Sequence, residues 1–163
     1  MSLELFGNGF QLTFLREMLI AYVLALPIAF DREHTNRSAG LRTFPIVSLA
    51  CCSYILIACD MFGDDPQSVA RVLYGLMTGI GFIGGGAIIK QGGTAHGTAT
   101  AASIWGTGAI GASVAFHYYG IALAISILTF LTLVVFKPIK TILRNGSNPR
   151  VPRARERDDK KKS

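Results

Sequence analysis

Gly79-Ile80-Gly81-Phe82-Ile83-Gly84-Gly85-Gly86-Ala87-Ile88-Ile89 is apolar throughout and almost bare of side-chain bulk. In water each interior Gly would weaken a helix by roughly 1 kcal/mol relative to Ala. In a bilayer no water waits for the freed backbone groups, so the helix persists and the missing side chains become grooves for neighbouring helices. The run therefore predicts a membrane helix at the centre of the assembly. Gly79, Gly81, Gly84, Gly85 and Gly86 are its expected packing positions, joined downstream by Gly106 and Gly108. If the backbone opens at Gly84 to Gly86, the opening must be buried in protein or face a water-filled cavity.

Working outward, half of the 163 residues are hydrophobic while the net charge is +6, so the basic groups must lie outside the apolar runs. Five stretches are long enough to cross a hydrocarbon core about 30 Å thick at 1.5 Å per helical residue. They run from Gln11 to Phe30, Thr43 to Cys59, Val72 to Ile89, Thr98 to Phe116 and Tyr119 to Phe136. The expected fold is all-α and integral to the membrane: a five-helix transmembrane domain over 1–144 and a basic cytoplasmic tail over 145–163. No cleavable signal peptide is expected, because Met1-Ser2-Leu3-Glu4 lacks a basic region and the first apolar run carries Arg16 and Glu17.

Lys and Arg set the expected topology. Arg32, Arg37 and Arg42 fall in the first connection, Lys90 in the third, and Lys137, Lys140 and Arg144 after the last span. Cytoplasmic connections carry such residues. The second connection holds Asp60, Asp64 and Asp65, and the fourth is a few residues around His117 and Tyr118. Five spans then place the N-terminus outside and the C-terminus in the cytoplasm.

Cys51, Cys52 and Cys59 lie within one apolar run without disulfide or metal spacing and read as small hydrophobes. Beyond Asn145-Gly146-Ser147-Asn148-Pro149 the chain has too few apolar residues to fold alone. That basic tail suits a solvated segment that fixes orientation, or one attracted to anionic lipid. No aromatic residues interleave its basic ones, so nucleic acid is not an expected partner.

Ionisable groups at bilayer depth are expensive, and those present carry functional information. Only thirteen residues separate Met18 from Phe30 inclusive, too few to span, so the first helix must include Arg16 and Glu17. Neighbours on a helix point about 100° apart, so the two are expected to find partners on other helices rather than each other. Arg16 snorkelling with Glu17 as a buried acceptor is one reading; Glu17 as an intramembrane cation or proton ligand is the other. A second polar group gathers at the cytoplasmic side: Asp31, Arg32, Arg42, Thr43, Thr98 and Thr100. Asp31 with Arg42 is an expected cross-helix pair. Thr98 and Thr100 are possible caps at the start of the fourth helix, a positive dipole end able to receive an anion or a carboxylate.

Gly40-Leu41-Arg42-Thr43, then Arg71 eight residues before Gly79-Ile80-Gly81-Phe82-Ile83-Gly84-Gly85-Gly86, then Gly97 with Thr100-Ala101-Ala102-Ser103-Ile104-Trp105, resemble the membrane domain of the MgtC/SapB family. The resemblance covers roughly Leu15 to Tyr118. It implies a bacterial inner-membrane protein of five spans, linked in several members to growth at low magnesium and survival inside host cells. It also implies protein partners, the membrane part of the F-type ATP synthase among them. The chain departs from the family's Gly-x-Glu-Arg with Ala29-Phe30-Asp31-Arg32, from its Gly-Leu-Thr/Asn-Thr-Ala-Ala with Gly97-Thr98-Ala99-Thr100-Ala101-Ala102, and has Gly75 where a polar residue is usual.

Two functional classes follow. One is a regulator or accessory of membrane ion homeostasis, serving low-magnesium or acid adaptation by binding another membrane protein. The other is a homo-oligomeric transporter or channel for a small ion such as magnesium. No nucleophile with a paired base, metal-ligand spacing or phosphate loop stands in the chain, so neither catalysis nor a cofactor is expected.

Overall fold

In the computed structural model the described residues are 8–35, 39–63, 65–91 and 94–146, with side chains over 12–35, 39–63, 65–90 and 94–137. Arg37, Asp64, the side chains of Lys140 and Arg144, and the tail from Ser147 onward lie outside them. Five helices follow in order: α1 Asn8–His34, α2 Thr43–Phe62, α3 Pro66–Gly86, α4 Thr98–Ala115 and α5 Tyr119–Gly146. Between α3 and α4 sits a short antiparallel hairpin, β1 Ile89–Gln91 and β2 Thr94–His96, which pairs Ile89 with His96 and Lys90 with Ala95.

The spans inside α1, α2, α3 and α5, namely Leu12–His34, Thr43–Phe62, Pro66–Gly86 and Tyr119–Lys137, are long and apolar enough to cross a membrane. The expected fourth span is a helix too, but α4 is not among these four. Its 18 residues include three Gly, three Thr and two Ser. It packs against each of the other four helices, and its Thr100, Ser103, Thr107, Gly108 and Gly111 are buried against protein.

The α3 boundaries differ from the expected Val72 to Ile89. Asp65 caps the helix a turn and a half earlier: one carboxylate oxygen accepts from the Gln67 amide at 3.1 Å and the other from the Ser68 hydroxyl at 2.6 Å, with Pro66 at the first helical position. Pro there lacks only an amide hydrogen that would have no helical partner. At the other end the chain leaves the helix at Ala87 and enters the hairpin.

The core is built on an α1 stripe at helical spacing. Ala21, Ala25, Ile28 and Ala29 are fully buried, and the same stripe carries Glu17 at one end and Asp31 and Arg32 at the other. Against it pack Phe44, Cys52 and Ile55 of α2 and Ile104, Ile110 and Val114 of α4. Two hydroxyls tie the neighbours on. Ser48 of α2 donates to the Ala21 carbonyl at 2.8 Å, and Ser126 of α5 donates to the Leu24 carbonyl at 2.7 Å.

The expected packing centre lies one helix later than the glycine run. A Cβ added at Gly79, Gly85 or Gly86 would meet nothing within 4 Å, and at Gly81 it would only touch the Trp105 indole nitrogen at 3.7 Å. Gly84 alone in the run approaches backbone, with a Cβ position 3.3 Å from the Ala101 carbonyl oxygen. The close approaches belong to α4: a Cβ on Gly108 would overlap the Ile80 side chain and one on Gly111 the Ser48 carbonyl, while Gly106 is in ordinary contact with Thr129. Among the described residues nothing packs directly on most of the α3 glycines.

Candidate functional site

Two charged clusters sit at the ends of the α1 stripe. At the end of the α4–α5 turn, Glu17 is fully buried. Its Oε1 accepts from Arg16 at 2.7 Å (Nη2) and 3.2 Å (Nε), and the Tyr119 hydroxyl lies 2.8 Å from both carboxylate oxygens. Arg16 and Glu17 therefore do pair directly, contrary to expectation. The Arg stem is long enough to fold back across the angle between neighbours, and its head stays at the surface. Glu17 finds its cross-helix partner in Tyr119 of α5.

His117 completes this cluster through an unusual turn. The Tyr118 amide donates to the Ser113 carbonyl and the His117 amide to the Val114 carbonyl, both at 2.8 Å. That is the helix-ending arrangement whose pivot residue is usually Gly. Here the pivot is His117 with φ 61°, the one positive-φ residue other than Gly among those described. The left-handed backbone costs a non-Gly residue about 1 kcal/mol or more. It also places the imidazole Nδ1 3.1 Å from the Tyr119 hydroxyl and 3.8 Å from Glu17 Oε1. With a proton on Nδ1, His117 donates to Tyr119, which in turn donates to Glu17.

At the hairpin end, Asp31 Oδ2 accepts from Arg32 at 2.6 Å (Nη2) and 3.1 Å (Nε), and its Oδ1 is bonded to the Lys137 ammonium of α5. Asp31 and Arg32 are both buried. One acid between two bases leaves net positive charge. Arg32 also lines a polar cavity of about 50 Å³ with His96, Gly97, Thr98 and Thr100. The start of α4 faces it: Gly97, in left-handed conformation at φ 88°, is the capping position, and no side chain caps the helix. Thr98 and Thr100 do not act as caps, because the reversal at Gly97 leaves Thr98 exposed and turns Thr100 inward, buried. Arginine and helix start together make this cavity attractive to anions.

Arg42 does not join Asp31. It stands exposed just before α2, and the acid that reaches this turn is Glu33, whose Oε2 accepts from the Leu41 amide at 3.0 Å. Thr43 begins α2 half-buried, and Asp60 is exposed near its far end. Lys137 and Tyr119 are the site residues that sequence reasoning did not place, whereas His117 is expected at the outer connection, on the side of Glu17. Lys137 counted only as an orientation charge, and a Tyr at a helix start carries no signal of its own. Cys51 and Cys52 are buried free thiols in the α2 packing face. Among the described residues no group of three His, Cys, Asp or Glu is arranged to hold a metal ion.

Comparison with known proteins adds a family. The chain is 30% identical over 148 residues to protein SrpB of Synechococcus elongatus, covering 83% of this chain and 80% of that protein. It is 29% identical over 141 residues to the Escherichia coli K12 protein named "Putative magnesium transporter YhiD", covering 81% and 64% respectively. Protein MgtC of Brucella abortus is 36% identical over 91 residues, 56% of this chain and 37% of MgtC. This chain thus spans less than two thirds of the latter two relatives. No solved structure matches it. The model of the MgtC family matches residues 18–142, which takes in most of α1 and α5, all of α2 to α4 and the Asp31, Arg32 and Lys137 cluster, and begins one residue after Glu17. The chain belongs to the MgtC family.

Proposed function

We propose that this protein is a regulator or accessory of membrane ion homeostasis, coupled to magnesium as the names of its relatives suggest, and neither an enzyme nor a one-copy ion pathway. The observation that carries this reading is the separation of the two clusters. Glu17 and Asp31 are 14 positions apart on α1, about 21 Å along the axis. Between them the interior is Ala21, Ala25, Ile28, Cys52, Ile55 and Ile110, and the buried hydroxyls there all donate to helix carbonyls: Ser48 and Ser126 to α1, Ser103 and Thr107 within α4. An ion crossing this interior would lose its hydration with no charged ligand to replace it. The polar groups form two ends without a track.

The same reading assigns five spans in a bacterial inner membrane, with α4 crossing as the central one. A helix surrounded by others needs less hydropathy than one facing lipid. Arg32, Arg42, Lys90 and Lys137 all belong to the hairpin end, which we place in the cytoplasm under the positive-inside rule. The N-terminus of α1 then lies outside with Glu17 and the α4–α5 turn. The cytoplasmic cluster and hairpin present the surface that would engage another membrane protein.

Magnesium flux into proteoliposomes of the purified protein tests this directly. No flux above protein-free vesicles is expected, while low-magnesium growth of a null strain is restored by the wild-type chain and lost with Asp31→Asn. Flux abolished by Asp31→Asn or Glu17→Gln would overturn the reading in favour of a homo-oligomeric transporter with its path between copies.

A further inference from the structure

Beside the charged clusters the fold holds an apolar groove with no role so far. It runs between α2 and α3, has a volume of about 590 Å³, and is walled by Ile46, Ala50 and Tyr54 on one side and Gly75, Gly79 and Phe82 on the other. A Cβ at Gly75 or Gly79 would meet nothing within 4 Å, so the α3 wall is open at both positions. Both walls continue in register to an arginine. On α2 the fourfold spacing runs Arg42, Ile46, Ala50, Tyr54; on α3 it runs Arg71, Gly75, Gly79, with Phe82 following. Because α2 and α3 are antiparallel neighbours, Arg42 stands at one mouth and Arg71 at the other. Each is exposed, and among the described residues neither makes an ion pair or a side-chain hydrogen bond.

We propose that this groove binds an anionic phospholipid, with an acyl chain lying over Gly75 and Gly79 and the phosphate on Arg42. The occupant follows from charge. Two copies of this chain in one membrane are related by an axis along the membrane normal, so a twofold contact through the groove would set Arg71 against Arg71 and Arg42 against Arg42. α2 and α3 carry no acid at the Arg42 end, so on these walls nothing would offset the repulsion at that mouth. A phospholipid instead brings a chain without charge for the groove and a phosphate for the guanidinium, which binds such oxygens in bidentate fashion. Arg42 is favoured over Arg71 because two acids, Asp60 and Asp65, stand near the second mouth and only Glu33, held on the Leu41 amide, near the first. In a bilayer an acyl chain merely replaces other acyl chains, so selectivity rests on the headgroup.

The single tryptophan, Trp105, lies outside this groove, so Tyr54→Trp in a Trp105→Phe chain reports on it alone. Quenching of that reporter by brominated phosphatidylglycerol is compared with brominated phosphatidylcholine in mixed micelles of the full chain. About a fivefold preference for phosphatidylglycerol is expected, the effect of one basic residue near the lipid surface. Arg42→Gln should reduce it below twofold, Arg71→Gln should leave it, and Gly79→Leu should lower quenching by both lipids. Equal quenching in the parent reporter, or a preference that survives Arg42→Gln, overturns the proposal. So does a reporter shielded from both lipids in a cross-linkable dimer, which would assign the groove to a second copy. Both arginines are exposed and hold no ion pair among the described residues, so loss of fold does not confuse those variants.

Discussion

Gly111→Ala and Gly85→Ala make the same chemical change on two helices and should move stability in opposite directions. Ala for Gly in a helix interior is worth up to about 1 kcal/mol in favour of the variant. At Gly85 nothing lies within 4 Å of the new methyl, so that gain is the whole effect. At Gly111 the methyl would overlap the Ser48 carbonyl and come within 3.1 Å of the Cys51 Cβ. α2 and α4 must then separate, and overpacking of this kind costs about 1–3 kcal/mol. Ser48 also donates to Ala21 from the same turn, and straining that interhelical bond adds about 0.6 kcal/mol. Gly111→Ala should therefore lose about 1–2 kcal/mol, leaving a gap of about 2–3 kcal/mol between the variants once the gain at Gly85 is included. Reversible unfolding in mixed micelles, titrated with a denaturing detergent, measures both. A Gly85→Ala protein that loses as much as Gly111→Ala would refute the placement of the packing centre on α4 and mean that the α3 glycines face a partner.

Two further outcomes follow from the turn and the cap. His117→Gly should keep or raise stability in the same titration by up to about 1 kcal/mol, because Gly takes the left-handed pivot without strain; a clear loss would mean that the imidazole contact with Tyr119 outweighs the backbone strain. At Asp65 the Ser68 hydroxyl and the Gln67 amide hold the carboxyl below its ordinary value, so its contribution is present above the unfolded value near pH 4 and fades as pH falls through the folded one. Asp65→Asn keeps an acceptor that does not titrate. The wild-type advantage over that variant, read from melting temperature against pH, should be constant from pH 7 to 5 and shrink below about pH 4. An advantage unchanged down to pH 2 would show that the cap does not titrate with the helix.

Length arithmetic alone put Arg16 and Glu17 inside α1, and there they are. Their partners were not legible, because Tyr119 is 102 positions from Glu17 and Lys137 is 106 from Asp31, and no local spacing encodes such distances. The expected Asp31 to Arg42 pair failed for the same reason: both residues belong to the same end of the fold, but which side of α2 faces α1 depends on packing. The short hairpin was hidden within a connection of Gly, Thr and Lys whose composition suits a loop equally well.

Apolar runs of sufficient length, interrupted where Lys, Arg and Asp collect, determine by themselves that this chain makes membrane helices, because a bilayer leaves the backbone no other means of satisfying its hydrogen bonds. The sequence also shows where side chains are missing. Only the tertiary structure decides which of those vacancies a neighbour fills. Gly108 and Gly111 sit where α4 is enclosed and touch α3 and α2, while Gly75, Gly79 and Gly85 meet no neighbour within 4 Å among the described residues. A glycine without a neighbour is an open surface, and a glycine against a carbonyl is a contact; the two look alike until the helices are assembled.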